Sequence, residues 1–134
     1  MIMQKHDKDC LQASLSELLK IDYSEIPEFY KLYPNVDDFS NAIDEWLTER
    51  GYFRVLIASK YNPDEGNIAF PLVSLKEYKC IGILEKSYRD YSHAVVLEVK
   101  DNRCILHDPK PDSDYDLRDL ISIEFILPIM KENT

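Results

Sequence analysis

The sequence predicts an α+β fold in a single domain covering residues 1–134, with N-terminal helices packed on a mostly antiparallel C-terminal sheet. Three observations lead there. Two stretches within the first fifty residues repeat their apolar side chains at helical spacing, the period changes to that of strands after Gly51, and two apolar runs flank a short polar turn. Helices first and strands afterwards indicate helices set against an antiparallel sheet, not an alternating parallel one.

The first helix is expected from Asp9 to about Lys20, because Leu11, Leu15, Leu18 and Leu19 share a face and Asp9 is available as an N-cap. Cys10 falls at the edge of that stripe. Residues 22–29 combine a capping aspartate, a proline and acidic groups, which suits a short helical turn leading into a loop. A second helix is expected over Asp37–Arg50, with Val36, Phe39, Ile43, Trp46 and Leu47 on one face and Gly51 as its stop. Phe53–Ala58 and Lys79–Leu84 read as strands separated by a loop rich in Pro, Asn, Asp and Gly. His93–Val99 and Arg103–His107 flank Lys100-Asp101-Asn102 and read as a hairpin, and Ile121–Leu127 as a last strand.

Composition narrows the function. Twenty-five acidic residues against sixteen basic ones leave a net charge of −9, which repels phosphate backbones and makes nucleic acid an improbable class of partner. No run approaches the roughly 20 apolar residues of a membrane span, so no membrane insertion is expected, and Met1–Cys10 is polar where a secretory signal is apolar. Three cysteines without a CxxC pair suit a reduced, cytoplasmic compartment, with Cys80 and Cys104 as small core residues.

Four residues supply one role each in a cysteine-nucleophile site. Cys10 stands at a helix N-terminus, where free N–H groups and the macrodipole favour a thiolate. His93 can serve as its base, Asp108 can hold the imidazole in the useful tautomer, and the Gln4 side-chain amide can donate to a developing oxyanion. Geometry supports the middle pair: a hairpin turning near Asp101-Asn102 brings the start of one strand beside the end of the next, hence His93 beside Asp108. Singly, each has a plainer reading: Cys10 as packing, His93 as a strand start, Asp108-Pro109 as a turn, and Gln4 as a surface residue. A zinc site from His6, Asp9, Cys10, His93 and His107 is the chemical rival, but no CxxC or HxxxH spacing occurs. His107 is expected to point away from Leu106, solvated or behind the site. Asp112, Asp114, Asp116 and Asp119 lack the glycine and terminal glutamate of a calcium loop and read as a solvated acidic loop.

Gln4 six residues before Cys10, the Asp9-Cys10 pair, His93-Ala94-Val95-Val96-Leu97 and His107-Asp108-Pro109 together resemble the papain-like cysteine peptidase superfamily, and within it the bacteriocin-processing, double-glycine-leader peptidases and short stand-alone proteins similar to them. The resemblance touches both ends of the domain and leaves its middle weakly matched; Leu11 stands where many such relatives carry glycine. It implies a papain-like fold with Cys10 as nucleophile, His93 as base, Asp108 as orienting carboxylate and Gln4 as oxyanion donor. It also implies a protein or peptide substrate and no cofactor. Double-glycine specificity is not carried over. Two other outcomes stay open: an inert papain-like module that binds a protein or peptide, and transglutaminase-like transfer or deamidation through the same thioester. Tyr30-Lys31-Leu32-Tyr33 and Tyr88-Arg89-Asp90-Tyr91 are candidates to line a cleft.

Overall fold

In the computed structural model, which describes residues 8–58, 61–62, 67–68, 77–89, 91–100 and 103–130, with backbone alone at 36, 61–62, 67–68 and 103, the leucine spacing forms helix α1 (Cys10–Leu19). Leu15 and Ala13 face the core, and Lys20 closes the helix in the left-handed region at φ 56°. Asp9 occupies the N-cap position without capping. Its fully buried carboxylate instead accepts a hydrogen bond from the Tyr23 hydroxyl, so the expected cap is replaced by a tie to the next segment.

That segment holds two pieces where one turn was expected. A 3-10 turn, Tyr23–Glu25, is capped by Asp22 and pinned to α1 by Gln12, whose Nε2 donates to Ile26 O at 2.9 Å and Tyr23 O at 3.2 Å. Helix α2 (Phe29–Leu32) then buries Phe29. Helix α3 (Val36–Glu49) starts one residue earlier than expected, because Asn35 accepts from the Asp37 and Asp38 N–H groups. Gly51, at φ 85°, turns the chain out of it. Phe39, Ile43, Trp46 and Leu47 pack inward as the spacing required, while the Val36 side chain lies outside the described residues. Phe29 meets Trp46 edge-on at 5.9 Å between centroids.

Strands β1 (Tyr52–Ala58), β4 (Glu77–Leu84), β5 (His93–Lys100), β6 (Arg103–His107) and β7 (Leu120–Pro128) form one antiparallel sheet in the order β1-β7-β4-β5-β6. The segment expected as a Pro/Asn/Asp/Gly loop contains a small ribbon, β2 (Tyr61–Asn62) paired with β3 (Asn67–Ile68); the turn between them lies outside the described residues. The expected hairpin is β5–β6, with Lys100 opposite Arg103 and residues 101–102 likewise outside the description.

Both faces of the sheet are covered. α1 packs on β5 and β4, and α3 packs on β1. This side gathers Leu15, Phe29, Ile43, Trp46, Ile81 and Ala94; the far side gathers Cys80, Val95, Leu97, Tyr115, Ile123 and Phe125. Burial on both sides is why β5 is buried continuously over residues 93–97 instead of alternating. All three cysteines are free thiols. Burial, with Cys104 nearby, pushes Cys80 up to about 12, and burial pushes Cys104 up to about 11. Among the described residues no helix is long and apolar enough to cross a membrane.

Gly82, opposite Val95 and Ile123 in the register, leaves no room for a side chain on the far face. A Cβ there would lie 2.8 Å from Leu97 Cδ1 and 2.9 Å from its Cγ, and Leu97 is itself fully buried. Gly82→Ala is therefore expected to destabilise the fold by about 1–3 kcal/mol in urea denaturation. Unchanged stability would mean that Leu97 has room to move.

Candidate active site

Strand β6 ends at His107 opposite Val96, so β5 runs on past it by three residues, Val95, Ala94 and His93. The Ala94 N–H has no partner on β6 and donates instead to Cys10 Sγ at 3.3 Å. Cys10 is the first residue of α1 and half-buried, so the residue that receives this strand N–H also stands at the positive end of the helix dipole.

Asp108 follows β6 directly, and the hairpin brings it to His93 as the spacing required: Nε2 lies 2.7 Å from Oδ1. The carboxylate is fixed from both ends. Lys110 N–H donates to Oδ1 at 2.8 Å and Ser113 Oγ–H to Oδ2 at 2.6 Å. Burial alone would raise the Asp108 carboxyl, but the hydrogen bonds from His93, Ser113 and Lys110 outweigh it and hold the group below its ordinary value. Burial likewise opposes charge on His93; hydrogen bonds with Asp108 and Cys10 overcome it and lift the ring to about 9. With Nε2 committed to Asp108, Nδ1 is the nitrogen left for Cys10.

Cys10, His93 and Asp108 thus form one line of contacts. Gln4 and His6 lie outside the described residues. His107 is no part of that line of contacts; its Nε2 meets Glu98 Oε1 at 3.1 Å. Among the described residues no group of three or more His, Cys, Asp or Glu is placed to hold a metal ion.

The chain matches no model of a known protein family and no curated protein. Residues 112–119, expected as a solvated acidic loop, instead form the back wall: Tyr115 is buried and stacks on the His93 ring at 4.9 Å and 24°. The Arg89 guanidinium lies 4.8 Å over the other partner of that stack, Tyr115, and pairs with Asp114 at 2.7 Å. Asp116 and Asp119 close a capping box on the 3-10 turn Leu117–Asp119. Asp112 and Asp114 keep the expected exposure. Sequence reading missed Ser113 and Tyr115 because a serine and a tyrosine among aspartates carry no local mark of burial.

A groove of about 520 Å³ opens beside Cys10. Tyr30, Tyr33 and Tyr91 line it, as the tyrosine-rich segments suggested; Tyr88 does not and is exposed.

Proposed function

We propose that the protein is a papain-like cysteine hydrolase that cleaves a peptide or other amide bond. The observation that carries this reading is the contact line from Cys10 Sγ through His93 to Asp108, with a strand N–H donating to the sulfur at 3.3 Å. The Cys10 proton passes to His93 Nδ1, and the thiolate attacks the amide carbon, forming a C–S bond and a tetrahedral oxyanion. The backbone N–H of Cys10, in the uncapped first turn of α1, donates to that oxyanion, and Gln4 is the proposed second donor. Collapse breaks the C–N bond as His93 returns its proton to the leaving amine. Water then attacks the thioester carbon as His93 takes its proton, the C–S bond breaks, and the acyl group leaves as a carboxylic acid with the Cys10 sulfur freed as a thiolate beside the protonated His93. Asp108 keeps Nε2 occupied throughout, so that Nδ1 alone trades the proton.

Alkylation by iodoacetamide tests the reading without a known substrate. Cys10 is expected to label at pH 6 at a rate within about tenfold of its pH 9 rate, whereas a free thiol, ionising near 8.5, slows by about two orders of magnitude over that interval. Cys80 and Cys104, buried and pushed up, serve as slow internal controls. An ordinary thiol profile at Cys10 would sink the hydrolase and leave an inert fold that binds a protein or peptide.

A further inference from the structure

The groove beside Cys10 has a floor made by the sheet. Ala94 on β5, Ile83 on β4 and Ser122 on β7 are successive register partners, and Leu56 on β1 continues the floor beyond them. Strands are spaced about 4.8 Å apart, so the three steps from β5 to β1 span about 14 Å, the length of about four extended residues. Leu11, Tyr30, Tyr33, Phe39 and Tyr91 line its sides.

One group on this floor is out of keeping with the rest. Glu124 is 8% exposed, lines the groove, and is the register partner of Leu56. Its one hydrogen-bonding or ionic contact among the described residues is Arg54 Nη1, at 3.4 Å to Oε1. Arg54 is largely committed elsewhere. Its Nε and Nη2 grip Asp44 at 3.0 and 3.2 Å, and Nη2 also donates to Ser40 Oγ at 2.7 Å. One cation therefore serves two carboxylates, and the cluster of Arg54, Asp44 and Glu124 keeps a net charge of −1 beside a largely apolar channel. Lys8, the other cation lining the groove, is exposed, two residues before Cys10.

We propose that this groove is the substrate subsite of the hydrolase and takes an extended polypeptide segment whose lysine or arginine side chain is held by Glu124. The inference rests on the hydrolase reading for its direction from Cys10. A cationic side chain supplies the charge that Arg54 shares out, and its aliphatic stem suits the apolar walls. The row from Ala94 to Ser122 places the basic residue within about three residues of the attacked bond.

Binding to the Cys10→Ala protein tests this apart from catalysis. The probes are two fluorescein-labelled pools of hexapeptides with uncharged residues at the randomised positions, identical except for lysine or norleucine at one fixed central position, titrated by anisotropy at low ionic strength. The lysine pool is expected to bind at least about tenfold tighter. Glu124→Gln, which keeps the shape, should erase the difference. Leu56→Lys should erase it too, since Leu56 is 64% exposed, tolerates replacement, and would set a tethered cation opposite Glu124. Equal binding of the pools, no binding by either, or a preference that survives in both variants overturns the proposal. Cys10→Ala neither attacks nor cleaves, so slow alkylation of wild-type Cys10 with the lysine preference intact would remove the hydrolase and leave the groove as a binding site.

Discussion

Replacing His93 with alanine is expected to slow alkylation of Cys10 at pH 6 by about ten- to a hundredfold. The thiol in that variant has lost the His93 imidazole, and an ordinary thiol with a value near 8.5 is about 0.3% ionised at pH 6. The more basic thiolate is intrinsically the better nucleophile, which returns part of the loss and sets the lower bound of the range. In the wild type the imidazole, lifted to about 9 against the cost of its burial by hydrogen bonds with Asp108 and Cys10, keeps its proton through neutral pH and so stands as a cation beside the sulfur. The difference between the two proteins should therefore be largest at low pH and close as the pH approaches 9. Labelling is quantified by mass spectrometry at Cys10, with circular dichroism to check the fold. Equal rates at pH 6 would mean that the helix terminus and the Ala94 N–H act on the sulfur without the ring.

Elements were legible where local periodicity and a short turn decide them. α1 and α3 follow from leucine and aromatic spacing, and the meeting of His93 with Asp108 follows from a hairpin whose register places Val96 opposite His107. What depends on sheet order was not legible. β1 pairs with β7, and β7 with β4, so strands far apart in sequence become neighbours without any local signal. Arg54 and Glu124 show the consequence. Each is the polar member of a strand-like run, Phe53-Arg54-Val55 and Ile123-Glu124-Phe125, and each reads alone as a solvent-facing residue. Only the adjacency of β1 and β7, with α3 above them, turns the two into a nearly buried pair. Asp9 failed for a related reason: an aspartate before a helix reads as a cap, yet a phenol brought in by the connector offered its buried carboxylate a closer donor.

Arg54→Met should destabilise the protein by about 3 kcal/mol at pH 8, because it removes the cation and leaves Glu124 buried without one. Methionine keeps much of the aliphatic stem, so the loss is mainly electrostatic. The pH dependence identifies the cause. Burial raises the Glu124 carboxyl above its ordinary value and Asp44 adds to the rise, while Arg54 pulls the other way; without Arg54 the value climbs further. A carboxyl raised in the folded state binds more protons there than in the unfolded chain. Its favourable contribution is complete below the ordinary value of about 4.3 and is lost as the pH rises through the folded value. Relative to wild type, the variant should therefore lose less stability at pH 4.5 than at pH 8 in paired urea titrations. Adding Glu124→Gln at pH 8 removes the stranded charge and should recover most of the loss. Asp44 cannot account for such a rescue, since its side chain is 51% exposed and stays solvated when Arg54 goes. An equal loss at both pH values with no recovery in the double variant would assign the role of Arg54 to its contacts with Ser40 and α3, and not to the charge it shares with Glu124.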